Sequence, residues 1–122
     1  MLRVGVIGHG YWGPNLVRNF MAAPGSAVTA VCDAREERLT QLRKLYPTLK
    51  TYHDATSLIN DSNVDAVVVA TPVSTHFDLA MQSLKAGKHV LVEKPVALDP
   101  AAIEPLARAA REARTLCMPG HC

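Results

Sequence analysis

Three glycines, Gly8, Gly10 and Gly13, stand in the spacing G-x-G-x-x-G directly after the apolar residues Leu2, Val4, Val6 and Ile7. This pattern does its chemistry with backbone. The first glycine permits a tight turn out of a strand, and the second lets a pyrophosphate approach main chain that carries no Cβ. The third lets a helix pack closely on the sheet. The unpaired N–H groups and positive dipole end of that helix then face the anion. About 20 residues further on stands Asp33, placed where an acidic side chain accepts hydrogen bonds from the adenosine ribose hydroxyls. Its carboxylate repels a 2′-phosphate, so the reading favours NAD, with NADP possible. Arg35 pulls the other way, because a guanidinium pairs well with phosphate. Its side chain is expected along the adenine face or in solvent. The competing role for Asp33 is to cap the next helix.

Two further stretches carry reactive groups. Ala70-Thr71-Pro72-Val73-Ser74-Thr75-His76 leaves a strand at Pro72, which cannot donate to a ladder, and so exposes backbone and Thr71. His76 falls in the first turn of the following helix, where it serves as a local hydrogen-bonding group more readily than as a catalyst. Glu93-Lys94-Pro95 follows another strand. A Glu-Lys pair is ordinarily a solvated surface pair of little worth. At the ligand edge of a sheet, Lys94 can hydrogen-bond a substrate hydroxyl or carbonyl and tune its ionisation. Cys32, Cys117 and Cys122 show no C-x-x-C spacing, so neither a disulfide framework nor a zinc site is expected. Cys32 and Cys117 read as core residues and Cys122 as an exposed thiol.

The elements that must hold these groups alternate. After the glycine turn, Leu16, Val17, Phe20 and Met21 repeat at helical spacing until Pro24-Gly25. Residues 27–32 form a second strand ending at Asp33, and a charged helix follows with Leu39, Leu42 and Leu45 on its buried side. Residues 49–52 make a short third strand, and Asp54 caps a brief helix through Leu58 and Ile59. Residues 65–70 form a fourth strand, continuously apolar from Ala66 as a doubly buried strand should be. Ser74 or Thr75 caps a helix with Phe77, Ala80, Met81 and Leu84 inward, and Gly87 takes the left-handed position at its end. Residues 89–92 are a fifth strand. Asp99-Pro100 starts a helix that Ile103, Leu106, Ala107 and Ala110 continue, and residues 115–118 are a sixth strand ending before Pro119-Gly120. The result is an α/β fold, a doubly wound parallel sheet (Rossmann dinucleotide-binding fold) of six strands in the order 3-2-1-4-5-6.

Length and composition set the bounds. The 122 residues suit one domain, 1–122. A net charge of +2 argues against a nucleic-acid or anionic-membrane partner. No apolar run approaches the roughly 20 residues needed to span a bilayer, and the first strand begins without a signal-peptide pattern, so a cytoplasmic setting is expected.

Taken together, Gly8-x-Gly10-x-x-Gly13, Asp33, Ala70-Thr71-Pro72-x-x-x-His76, Ala86-Gly87-Lys88-His89-Val90 and Glu93-Lys94-Pro95 resemble the N-terminal half of the glucose–fructose oxidoreductase / inositol dehydrogenase (Gfo/Idh/MocA) family. The stretch 11–16 resembles members associated with nucleotide-sugar and polysaccharide metabolism. The resemblance implies hydride transfer between NAD(P) and a sugar, nucleotide-sugar or polyol. It implies cofactor contacts at Gly8, Gly10, Tyr11, Trp12, Gly13, Asp33, Arg35, Thr71, Pro72, His76 and Glu93, with Lys94 catalytic and no metal. His9 departs from the small or aliphatic residue expected inside the glycine turn. The family's C-terminal substrate domain, with its catalytic Asp and His residues, is not among these residues. A homo-oligomer through the surface that domain would cover is therefore expected, and activity of the chain alone is not. The alternative is a stand-alone NAD(H)-binding or regulatory module. An S-adenosylmethionine-dependent methyltransferase leaves Glu93-Lys94-Pro95 unexplained.

Overall fold

The computed structural model describes residues 1–8, 13–93 and 100–120. Six parallel strands form one sheet in the order β3-β2-β1-β4-β5-β6, as expected. They are β1 (Leu2–Ile7), β2 (Ser26–Cys32), β3 (Lys50–Tyr52), β4 (Ala66–Val69), β5 (His89–Glu93) and β6 (Cys117–Gly120). The connecting helices are α1 (Gly13–Ala22), α2 (Glu36–Leu45), α3 (Ala55–Ile59), α4 (His76–Lys85) and α5 (Ile103–Ala113). Short 3₁₀ turns, Val73–Thr75 and Pro100–Ala102, precede the last two helices.

The sheet divides the core in two. One layer joins Ile7, Val67, Val69, Val90 and Val92 to Leu58 and Ile59 of α3, Ala80 and Leu84 of α4, and Leu106 and Ala110 of α5. The other joins Val4, Val6, Val28 and Val31 to Val17 of α1 and to Leu39 and Leu42 of α2. A bulge at Thr29 explains why Val28 and Val31 share a layer. The register steps from Val4 opposite Val28 to Gly5 opposite Ala30, and one inserted residue inverts the alternation of β2. Gly5 has a packing role of its own, since a Cβ there would lie 2.7 Å from Leu58 Cδ2.

The coverage is uneven. Helices α1 and α2 shield the second layer over β1, β2 and β3. Over β4, β5 and β6 no described helix covers that face. An apolar groove of about 370 Å³ remains, lined by Val4, Phe20, Val68, Leu91, Leu116 and Met118 among others.

Several elements depart from the sequence expectation for local reasons. Leu45 is 72% exposed, because a spacing of three residues drifts about 60° per step around a helix and carries it off the face of Leu39 and Leu42. Helix α5 follows Ala102 rather than starting at Pro100, and Asp99 lies outside the described residues. Neither Ser74 nor Thr75 supplies a side-chain cap to α4. Strand β6 runs on through Pro119 and Gly120, which an edge strand tolerates because one side of its ladder is unpaired.

Other expectations hold. Asp54 caps α3, accepting from Ser57 N at 2.9 Å. Gly87, at φ +80°, closes α4 in a Schellman arrangement. There Gly87 N donates to Leu84 O at 2.9 Å and Lys88 N to Ser83 O at 3.0 Å. The Lys88 ammonium reaches across to the carbonyls of Asp61 and Val64. That gives the Ala86–Val90 stretch a structural purpose, which is to pin the loop entering β4 to the loop entering β5.

At the amino edge of the sheet, Arg3 and Asp65 form a tight fork. Arg3 Nε and backbone N donate to Asp65 Oδ2 at 3.0 and 2.9 Å, and Nη2 donates to Oδ1 at 2.9 Å. The fork joins the start of β1 to the residue before β4. These bonds, with the Arg3 charge behind them, hold the Asp65 carboxyl down from 3.8 to about 2. A depressed carboxyl stabilises the fold above its unfolded value and loses that contribution as pH falls toward its folded value. Urea titrations of the wild type are therefore expected to show stability falling between pH 4 and pH 2. Asp65→Asn is expected to be less stable at pH 7 and flatter in that window. Equal acid slopes in the two proteins would remove the fork from the account.

Candidate dinucleotide site

Strand order reverses between β1 and β4, and the carboxyl ends of these strands open a cleft of the kind in which ligands bind in open α/β sheets. Gly8 is the first residue past β1. Its N–H donates to Cys32 O at 2.8 Å, and Ala70 N donates to Ile7 O at 2.9 Å, so the exits of β1, β2 and β4 are tied together. Gly8 has φ +88°, and a Cβ on it would lie 2.9 Å from both Ala70 O and Thr71 Cγ2. Only glycine meets both conditions, the left-handed backbone and the close approach to another main chain. Gly13 opens α1 on the far side of the turn. Gly10, Tyr11 and Trp12 lie outside the described residues.

At the end of β2, Asp33 is 6% exposed. Its backbone N donates to Tyr52 O at 3.1 Å. Its Oδ1 accepts the backbone N–H of Arg35 at 2.8 Å, an Asx turn that fixes the carboxylate before α2 begins. The residue capping α2 is Arg35, and it makes no side-chain cap bond. Arg35, expected along the adenine face or in solvent, is half-exposed beside Asp33. Its guanidinium turns back on the same carboxylate, Nε to Oδ1 at 3.3 Å and Nη2 to Oδ2 at 3.5 Å. The acidic residue before it in the chain is simply the nearest anion. Cys32 adds no charge here, since burial pushes its thiol up to about 11 and keeps it protonated.

The exit of β4 is held by side chains. His76 is 3% exposed, and its Nε2 donates to Thr71 O at 2.7 Å. The Thr75 hydroxyl donates to Pro72 O at 2.6 Å. With its proton spent there, it accepts from the Thr71 hydroxyl, also at 2.6 Å. Thr71, Pro72, Thr75 and His76 thus form a single braced turn beside Gly8. Sequence reasoning picked out Thr71, Pro72 and His76 but missed Thr75. The visible signal was Pro72 with a threonine three residues on, an ordinary hydroxyl turn spacing. Glu93 ends β5 at the same edge. Lys94 lies outside the described residues.

The residues described here fit a dinucleotide. A turn that admits no Cβ, a buried carboxylate at the end of β2 and a braced backbone at the end of β4 share one edge of the sheet.

Comparison with known proteins agrees with the geometry. Residues 2–121 match the family model GFO_IDH_MocA, described as "Oxidoreductase family, NAD-binding Rossmann fold". The chain is 34% identical over 119 residues to a myo-inositol 2-dehydrogenase of Thermotoga maritima, covering 98% of this chain and 36% of that protein. Among solved structures it is similar to a probable dehydrogenase from Thermotoga maritima, with TM-score 0.91, 35% identity, and coverage of 98% of this chain and 36% of that one. A biliverdin reductase from Synechocystis, in complex with biliverdin and NADP+, superposes with TM-score 0.90 at 30% identity, over 98% of this chain and 38% of that one. The chain thus spans little more than a third of the length of these relatives.

Gly8→Ala is expected to lower stability by more than about 1 kcal/mol, since the new methyl meets both a left-handed backbone and the Ala70 carbonyl. Urea denaturation compares the two. An unchanged midpoint would mean that the turn is not built as described.

Proposed function

The chain belongs to the Gfo/Idh/MocA oxidoreductase family, whose Rossmann fold binds NAD, and on that premise we propose that it serves hydride transfer between NAD(P) and a sugar, nucleotide-sugar or polyol. One observation carries the reading furthest. Gly8, Asp33 and the braced 71–76 turn meet at the carboxyl edge where the strand order reverses. The inositol dehydrogenase relative supports a polyhydroxylated substrate. A bound nicotinamide supplies the hydride acceptor or donor. The chain's own residues do the rest. Gly8 and the start of α1 would receive the pyrophosphate, and the family resemblance assigns further contacts to Gly10, Tyr11, Trp12 and Gly13. Asp33 accepts from the adenosine ribose, and Arg35 lies beside it. Thr71 and Pro72 present backbone to the nicotinamide half, and His76 keeps that backbone in place. Lys94 would hydrogen-bond the reacting hydroxyl or carbonyl oxygen and tune its ionisation, and Glu93 would help to orient Lys94.

The 122 residues are assigned to dinucleotide binding, and the substrate pocket to the part of a longer molecule that the relatives possess. A calorimetric titration with NADH is expected to be saturable and to weaken at least about tenfold in Gly10→Val. Absence of binding would overturn the reading. A steady-state assay of the chain with myo-inositol and UDP-sugars is expected to show no turnover, and robust turnover would contradict the division of labour.

A second reading, a non-catalytic NAD(H)-binding module, is favoured by the uncovered half-face of the sheet. Leu2, Leu116 and Met118 are exposed around the groove. In the chain as it stands, the occupant proposed for it is a second copy, because an isologous pairing covers the same patch on both partners. Light scattering is expected to give a dimer at high concentration and a monomer for Leu116→Glu with Met118→Glu. A strict monomer throughout would remove this interface.

A further inference from the structure

We propose that His89 is a pH-sensitive latch on the edge strand β6. Its neutral ring holds the chain where β6 begins, and protonation of the ring releases that chain and alters the bare face of the sheet. The device sits at the amino edge, away from the dinucleotide cleft, and stands independently of that reading.

The latch is one hydrogen bond with a fixed direction. Leu116, the residue before β6, donates its backbone N–H to His89 Nδ1 at 3.1 Å. A backbone N–H only donates, so Nδ1 carries no proton and the ring N–H is at Nε2. An imidazolium has N–H groups at both positions and accepts nothing. Protonation therefore ends this bond and sets one N–H against another.

The segment that the bond holds has little other support. Arg114 closes α5 at φ 55°, a left-handed conformation disfavoured for an arginine. The Thr115 hydroxyl is buried with no hydrogen-bond partner. Thr115 N turns back to Ala110 O at 2.9 Å, so it ties the segment to α5 rather than to the sheet. The Leu116 carbonyl enters the ladder, accepting from Val90 N at 2.8 Å. Strand β6 lies at the sheet's edge and pairs with β5 alone, so no second strand holds it in place. Leu116 and Met118 are both exposed and line the apolar groove, so a loosened start of β6 changes that face.

The surroundings make the ring the group that responds. Among the described residues lining the groove, His89 is the one that titrates. Its chain neighbour Lys88 is turned onto the carbonyls of Asp61 and Val64. Asp65, whose carbonyl accepts from His89 N at 3.1 Å, gives its carboxylate to Arg3. On β6, burial pushes the Cys117 thiol up and keeps it neutral. At the end of α5, Arg111 is paired with Glu104, and Arg114 is the capping residue. Of the chemical types beside the latch, the imidazole is the one that titrates between pH 7.5 and pH 5.5. The bonded form is the neutral one, so the latch contributes at the upper pH and is lost as pH falls.

Amide hydrogen exchange at pH 7.5 and pH 5.5, corrected for the intrinsic pH dependence, tests this in the wild type, His89→Asn and His89→Leu. Thermal melts confirm that each variant folds. The Val90 amide is the reporter, because it is bonded to Leu116 O. Its wild-type protection is expected to fall at least about threefold at the lower pH relative to the amides of β1. His89→Asn offers an oxygen in place of Nδ1 that does not titrate, and its protection is expected to stay level. His89→Leu has no acceptor and is expected to be poorly protected at both pH values. In the wild type alone, the Leu116 amide shift is expected to follow the titration of the His89 ring. Val90 protection that keeps pace with β1, a Leu116 shift indifferent to the ring, or the same pH dependence in His89→Asn would each overturn the inference.

Discussion

A parallel sheet is wound by right-handed crossovers, and the direction in which the chain travels decides which face each helix covers. From β1 the chain moves outward through β2 and β3, then returns past β1 and moves outward the other way through β4, β5 and β6. Two consequences follow from this one constraint. The loops leaving β1 and β4 diverge to opposite faces, and a cleft opens between them at Gly8 and Ala70. The outward run on the second side places α4 and α5 on one face only, so the other face of β4 to β6 has no helix from these elements. The cleft and the bare half-face share a topological cause, and both matter to function. The cleft is the edge assigned above to the dinucleotide, and the bare face is the one proposed above to pair with a second copy.

The two edges of the sheet are built to different specifications. The amino edge is tied by the close Arg3–Asp65 fork and by the Lys88 ammonium on two loop carbonyls. These are interactions of a fixed scaffold. The carboxyl edge is braced mainly by backbone and by short local bonds, among them His76 to Thr71 O and Thr75 to Pro72 O. Among the described residues it also carries the Arg35–Asp33 and His53–Glu36 pairs.

Much of this was legible before any coordinates. Continuous apolar runs at Val67 to Val69 and Val90 to Val92 mark strands of an interior sheet, and alternation with helical spacing leaves little choice of topology. The glycine turn, Asp33 and the Thr71–His76 segment each announced a position at the same edge, because residue type and distance from a strand are enough to place them. The relatives confirm the family that the Glu93-Lys94-Pro95 element implied. What the sequence hid were matters of angle and neighbourhood. Leu45 reads as core by its spacing from Leu42, yet a small angular drift exposes it. The bulge at Thr29 leaves no mark in composition. The return of Arg35 to Asp33 depends on an Asx turn whose geometry no spacing rule specifies.

The central claim is that the carboxyl edge between β1 and β4 is the binding edge. Amide chemical-shift mapping of the isotopically labelled chain during an NADH titration tests it most directly. The account predicts shifts concentrated at Gly8, Asp33, Thr71, His76 and Glu93, with Arg3, Asp65 and Gly87 at the opposite edge unmoved. Shifts clustered instead around the groove of Leu2, Leu116 and Met118 would contradict it, because the ligand would then occupy the bare face of the sheet.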